Sequence, residues 1–176
     1  MKLKNVKVLM SFFLIFTSLL LGNKDEGYEK YVNQIIKSFS KEMEKEHGLI
    51  CIGSGGKMPH DVEEIEVLFI AYKKATIEQA RELEVKATEK LIKAINNHEK
   101  IRPFLREFPF KADRAEVSIS FRMKNEKPYP NNYVARVTQF KNRIYYRAED
   151  PNSPLFISLL EEPYEEALKL LEKTQK

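Results

Sequence analysis

Cysteine is nearly absent, for Cys51 is the sole thiol among 176 residues. A single cysteine excludes an internal disulfide framework and a cysteine-based structural zinc site. No internal repeat and no run of βαβ units is visible, which argues against a solenoid and a doubly wound parallel sheet. The length accommodates one domain of ordinary size and leaves no room for two. A hydrophobic share of 43% with 11% aromatics is too apolar for intrinsic disorder and permits a true core.

Long apolar runs are also scarce. The longest covers residues 8–21, interrupted only by Ser11, Thr17 and Ser18, and it follows Lys2, Lys4 and Lys7 with no acid among them. As a helix this run would reach about 21 Å, short of a hydrocarbon core about 30 Å thick. A basic flank followed by a short apolar run is the pattern of a secretory signal peptide, here residues 1–22. Gly22 suits the cut, whereas Leu20 is a poor occupant two places earlier, so an uncleaved N-terminal anchor is the alternative. No cysteine stands near residue 22 to serve as a lipoprotein thiol. The expectation is export, to the periplasm or outside the cell, with membrane contact only through residues 8–21 if the segment is retained.

Charge of one sign is missing once this segment is set aside. Its three lysines, taken from 30 Lys plus Arg, leave 27 bases against 26 acids. The expected mature chain, 23–176, is almost neutral, so binding of nucleic acid by bulk charge is not expected.

What remains reads as a single α+β domain. Tyr28, Tyr31, Val32, Ile35, Ile36, Phe39 and Met43 form one apolar stripe, predicting a helix over about 26–47 that Gly48 stops. Residues 49–52 are a short apolar run, and Gly53-Ser54-Gly55-Gly56 reads as a flexible turn. Residues 65–72 are apolar on both faces and predict a central strand. Thr76 with Gln79 makes a capping box for a second helix running to about His98. Pro103 and Pro109 mark an irregular connector. Residues 115–123 alternate as a half-buried strand. Residues 133–140 and 143–148 flank Lys141-Asn142, a two-residue hairpin turn. A last strand is expected at 155–160, with Pro163 opening a closing helix. The order α-β-β-α-β-β-β-(β)-α predicts an antiparallel sheet of five or six strands with helices on one face.

Candidate chemistry is thin. Gly53 to Lys57 departs from a phosphate-binding loop, having Cys51 where that motif needs glycine and Met58 where it needs Ser or Thr. Cys51 lies between Ile50 and Ile52 as a small core residue would. His60, Asp61, Glu63, Glu64 and Glu66 match no metal-binding spacing and read as a charged strand entry. No cofactor, metal or catalytic residue is expected. His47 and His98 close helices, where a cation suits the dipole, and the acids from Glu161 to Glu166 surround a helix start.

One asymmetry stands out. Residues 102–147 hold seven arginines and four lysines against four acids. A two-residue turn at Lys141-Asn142 pairs Arg136 with Arg147, Thr138 with Tyr145, and Phe140 with Arg143 on one face. The opposite face then receives Val137, Tyr146, Ile144 and Ala148. If the strand at 115–123 pairs symmetrically, Ser120 joins the row of the two arginines, and Ser118 joins Thr138 and Tyr145. Like charges directly opposite repel unless an anion, or Glu116 from the neighbouring strand, lies between them. Arg136, Arg147, Arg143, Tyr145, Arg122 and Ser120 are therefore the candidate ligand-binding residues. The expected role is a non-catalytic binding or interaction module that takes an anionic glycan or an acidic protein surface. The alternative is a small hydrolase-like enzyme with its site near Cys51, His60 and residues 53–57.

Overall fold

The computed structural model describes residues 27–125, 129 and 133–174; the expected signal segment lies outside the described residues. Among those described, no helix is long and apolar enough to cross a membrane.

Among the described residues, three α-helices and six strands follow in the order α1 (Tyr28–His47), β1 (Ile50–Lys57), β2 (Glu64–Ala71), α2 (Ile77–Asn97), β3 (Ala115–Phe121), β4 (Arg136–Phe140), β5 (Arg143–Glu149), β6 (Phe156–Pro163) and α3 (Tyr164–Thr174). Local signals set the helix ends. Gly48 takes the left-handed conformation (φ 68°), and its N–H donates to the Glu44 carbonyl. The Thr76 hydroxyl accepts from the Gln79 N–H while the Gln79 side chain accepts from the Thr76 N–H.

The strands form one sheet in chain order from β1 to β6. Every neighbouring pair is antiparallel except β2 and β3, which are parallel. This corrects the all-antiparallel expectation. Twenty-one residues of α2, about 32 Å of helix, carry the chain back along the sheet, so β3 starts at the same end as β2. β2 is second from the edge rather than central. Two further differences concern strand ends. Gly53 to Lys57 is ladder, not a turn: β1 continues to Lys57 opposite Glu64, past an irregularity at Ile52. Pro163 closes β6 instead of opening α3.

Alternation divides the sheet into two faces. Ile65, Val67, Phe69 and Ala71 of β2, Val117, Ile119 and Phe121 of β3, Val137 of β4, and Ile144 and Tyr146 of β5 are buried beneath the helices. Phe39 of α1 meets Phe69 edge-on at 5.6 Å, a contact that adds to the roughly 2–3 kcal/mol expected for burying each ring. The connector is pinned by Asn96, whose side chain donates to the Phe110 carbonyl (2.9 Å) and accepts from the Phe110 N–H (2.7 Å).

The buried face holds a carboxyl that has no cationic partner among the described residues. Glu84 of α2 is fully buried and accepts from the Gln139 N–H at 2.8 Å. Desolvation, the largest influence, holds its pKa well above the carboxylate range, with Glu116 adding to the rise and the Gln139 hydrogen bond opposing it. The folded state therefore keeps a proton that the unfolded chain releases, and stability from this group falls as pH rises past the ordinary glutamate value. Glu84→Gln is expected to raise the urea midpoint at pH 8 and to leave it nearly unchanged at pH 4. An equal change at both pH values would contradict this assignment.

Candidate ligand-binding groove

Among the described residues no helix lines the other face of the sheet, which is rich in polar side chains. A groove of about 720 Å³ runs over it, lined chiefly by Ile52 of β1, Glu66 and Leu68 of β2, Glu116, Ser118 and Ser120 of β3, Arg136, Thr138 and Phe140 of β4, and Tyr145 and Arg147 of β5. That volume lies within the range of small-molecule sites.

Register builds the groove in rows across the strands. One row reads Ile70, Ser120, Arg136, Arg147 and Ser158, and the next reads Leu68, Ser118, Thr138, Tyr145 and Glu161. The hairpin that sets these rows has positive φ at both Lys141 (48°) and Asn142 (62°), the backbone of a primed two-residue turn. Arg136 thus stands directly opposite Arg147, as the turn spacing predicts, and Ser120 joins them. Arg136 Nε donates to Ser120 Oγ at 3.3 Å. Ser118 Oγ and Thr138 Oγ1 lie 2.9 Å apart.

The six candidate residues separate into two groups. Arg136, Arg147, Tyr145 and Ser120 line the groove. Arg143 pairs with Glu161 on β6, and Arg122 pairs with Glu149 at 2.6 Å; neither lines the groove. Partners outside the groove also account for the other three arginines of the basic window. Arg102 donates to the Asn96 carbonyl, Arg106 pairs with Asp61 and Glu63, and Arg114 pairs with Glu107. Among the described residues, only Arg136 and Arg147 of these seven have neither a carboxylate nor a carbonyl partner. Arg136 lies over the Phe156 ring (4.9 Å), and Arg147 over the Tyr145 ring (5.7 Å). Desolvation first, then repulsion from Arg122 and Arg147, lowers the Arg136 pKa, with Glu149 partly offsetting.

Glu116 does not lie between the arginines. It is four residues back along β3 from Ser120 and pairs in register with Glu66 of β2. The groove therefore has an acidic end, which the sequence reading did not identify. Its signal was present in the alternation of both strands, but it becomes a cluster only through the parallel pairing. Desolvation raises the Glu116 pKa most, followed by repulsion from Glu66 and Glu64. None of these three carboxylates forms an ion pair with a described residue.

Residues proposed for the alternative site are not brought together. Cys51 is half-buried on the helix side of β1, where it packs on the core and its Sγ donates to the Gly53 carbonyl at 3.5 Å. His60 lies in the turn beyond Lys57, at least six strand residues away, or about 20 Å. Asp61 and Glu63 instead hold the connector through Arg106, and Glu63 also accepts from Lys57 at 2.7 Å.

No protein-family model, curated protein or solved structure matches the chain.

Proposed function

We propose that this chain is an exported, non-catalytic binding module whose site is the groove on the helix-free sheet face. The observation that carries this reading is the Arg136–Arg147 pair: two guanidinium groups opposite each other across one hairpin, without an acidic partner, at the end of a groove of ligand size. A planar fork of donors suits sulfate, phosphate or carboxylate. The partner class is an anionic glycan or an acidic protein surface. Export rests on the lysine-flanked apolar run of residues 8–21. Mass spectrometry of the exported form is expected to place its first residue near Asn23, whereas an intact Met1 on soluble cytoplasmic protein would contradict it.

The binding test uses a sulfated oligosaccharide as probe. Arg136→Ala combined with Arg147→Ala is expected to weaken it at least tenfold, and affinity for the parent should fall as salt rises. The urea midpoint should change little, because relief of the Arg136–Arg147 repulsion offsets the loss of the Arg136–Ser120 hydrogen bond and of the two ring contacts. A double variant that unfolds more readily while binding the probe as before would show the arginines to be structural.

A further inference from the structure

The groove bears opposite charges at its two ends, and its length is set by the sheet. Glu66 and Glu116 pair at one end, while Arg136 and Arg147 pair at the other. Ser120, which pairs with Arg136, is four residues from Glu116 along one strand and Arg136 lies one strand across, so the nearest backbones of the two poles, at Glu116 and Arg136, are about 14 Å apart. Glu64 adds to the acidic pole by raising the Glu116 pKa. At the basic pole Arg122 and Glu149 neutralise each other, leaving the two groove arginines in excess.

The middle is built differently. The Ser118 and Thr138 hydroxyls lie at its centre with Ile52, Leu68 and Tyr145 around them, and Phe140 lies towards the acidic end. Because Ser118 and Thr138 share one hydrogen bond, one hydroxyl proton and several lone pairs remain for an amide above them. On the β1 side the wall is low. Gly53 and Gly55 pair with Leu68 and Glu66 and so face the groove. A Cβ at Gly55 would stand 3.3 Å from Glu66 Oε2, on the side by which a ligand group reaches that carboxylate.

We infer that the ligand is a short extended peptide of about four residues with both ends free, its ammonium group held by Glu66 and Glu116 and its carboxylate by Arg136 and Arg147. This rests on the reading of the open face as the binding site and departs from its purely anionic partner class, because the ligand carries a cation at one end and an anion at the other. Four extended residues span about 13–14 Å, which matches the separation of the poles. Each end of the ligand neutralises a pair of like charges that the folded protein otherwise leaves in repulsion. The central hydroxyls meet peptide amides, and the apolar walls take small side chains.

Calorimetry with four probes separates this inference from the broader one. The probes are tetra-alanine with free ends, its N-acetylated form, its C-amidated form, and inorganic sulfate. Tetra-alanine is expected to bind the parent at least tenfold tighter than either capped peptide, with sulfate binding weakly and competing with it. Glu66→Gln combined with Glu116→Gln should abolish the preference for the free amine and leave sulfate binding intact. Equal binding of free and acetylated peptide to the parent, with sulfate still bound, would overturn the dipolar ligand and leave the anion site standing. Absence of binding by every probe would overturn both. The comparison of capped and free peptides uses only the parent protein, so it does not depend on the double variant folding.

Discussion

Replacing Glu162 with alanine is expected to destabilise the fold by about 3 kcal/mol, among the largest effects of any polar substitution in this chain. Glu162, one residue before the end of β6, faces the helix side and is 8% exposed. Its carboxylate accepts from Arg81 of α2 at 2.7 and 3.1 Å, one bond to each oxygen, and from the Tyr146 hydroxyl at 2.5 Å. The Arg81 guanidinium also lies 5.8 Å from the Tyr146 ring centroid. Burial first, then the Glu162 hydrogen bond, pushes the Tyr146 phenol far up, which favours the neutral hydroxyl that donates to Glu162. Alanine would strand a mostly buried cation and a buried hydroxyl together. Arg81 Nε and the Tyr146 hydroxyl both donate to Oε1, so Glu162→Gln keeps their shared acceptor, loses only the second Arg81 bond and should cost less. Urea midpoints order the three proteins as parent, Gln, Ala. Because the network lies behind the sheet, the folded fraction of Glu162→Ala should still bind a groove probe with unchanged affinity.

Gly56→Ala is expected to have a comparable effect by a different route. Gly56 pairs with Ile65 at φ 151°, and a Cβ there would stand 2.1 Å from the Glu64 carbonyl oxygen. Backbone cannot yield as a flexible side chain can, so β1 must separate from β2 locally. Strain and overpacking of this kind cost about 1–3 kcal/mol. Amide exchange in residues 54–57 should accelerate more than in β4 and β5. The acidic end of the groove lies beside this ladder, so the variant should also disturb Glu66 before it disturbs Arg136. Uniform acceleration over the whole sheet would instead mean a global loss of stability with no local opening.

Much of this architecture is legible in the residue pattern, and the exceptions have physical causes. The β4–β5 register follows from two residues of turn and strict alternation, because a slip by one would bury Arg136 and expose Val137. The caps at Gly48 and Thr76 are local hydrogen-bond chemistry and are readable for the same reason. The length of β1 is not readable, since Gly53, Gly55 and Gly56 carry no hydropathy and resemble a turn. Nor is the parallel pairing of β2 with β3, which depends on where α2 returns the chain. That one pairing puts Glu66 beside Glu116 and gives the groove its acidic end. The basic window illustrates the same limit. Its excess of arginine is plain in the sequence, but Arg106 finds Asp61 and Arg143 finds Glu161 only in three dimensions, leaving half-buried Arg136 and exposed Arg147 without an acidic partner.

The most direct test of the central claim is amide chemical-shift mapping on isotopically labelled protein titrated with free-ended tetra-alanine. The account predicts saturable shifts confined to the groove strands, largest at Glu66, Glu116, Ser120, Arg136, Tyr145 and Arg147. Shifts centred on the helices or on Cys51 and His60, with those groove residues unmoved, would contradict it.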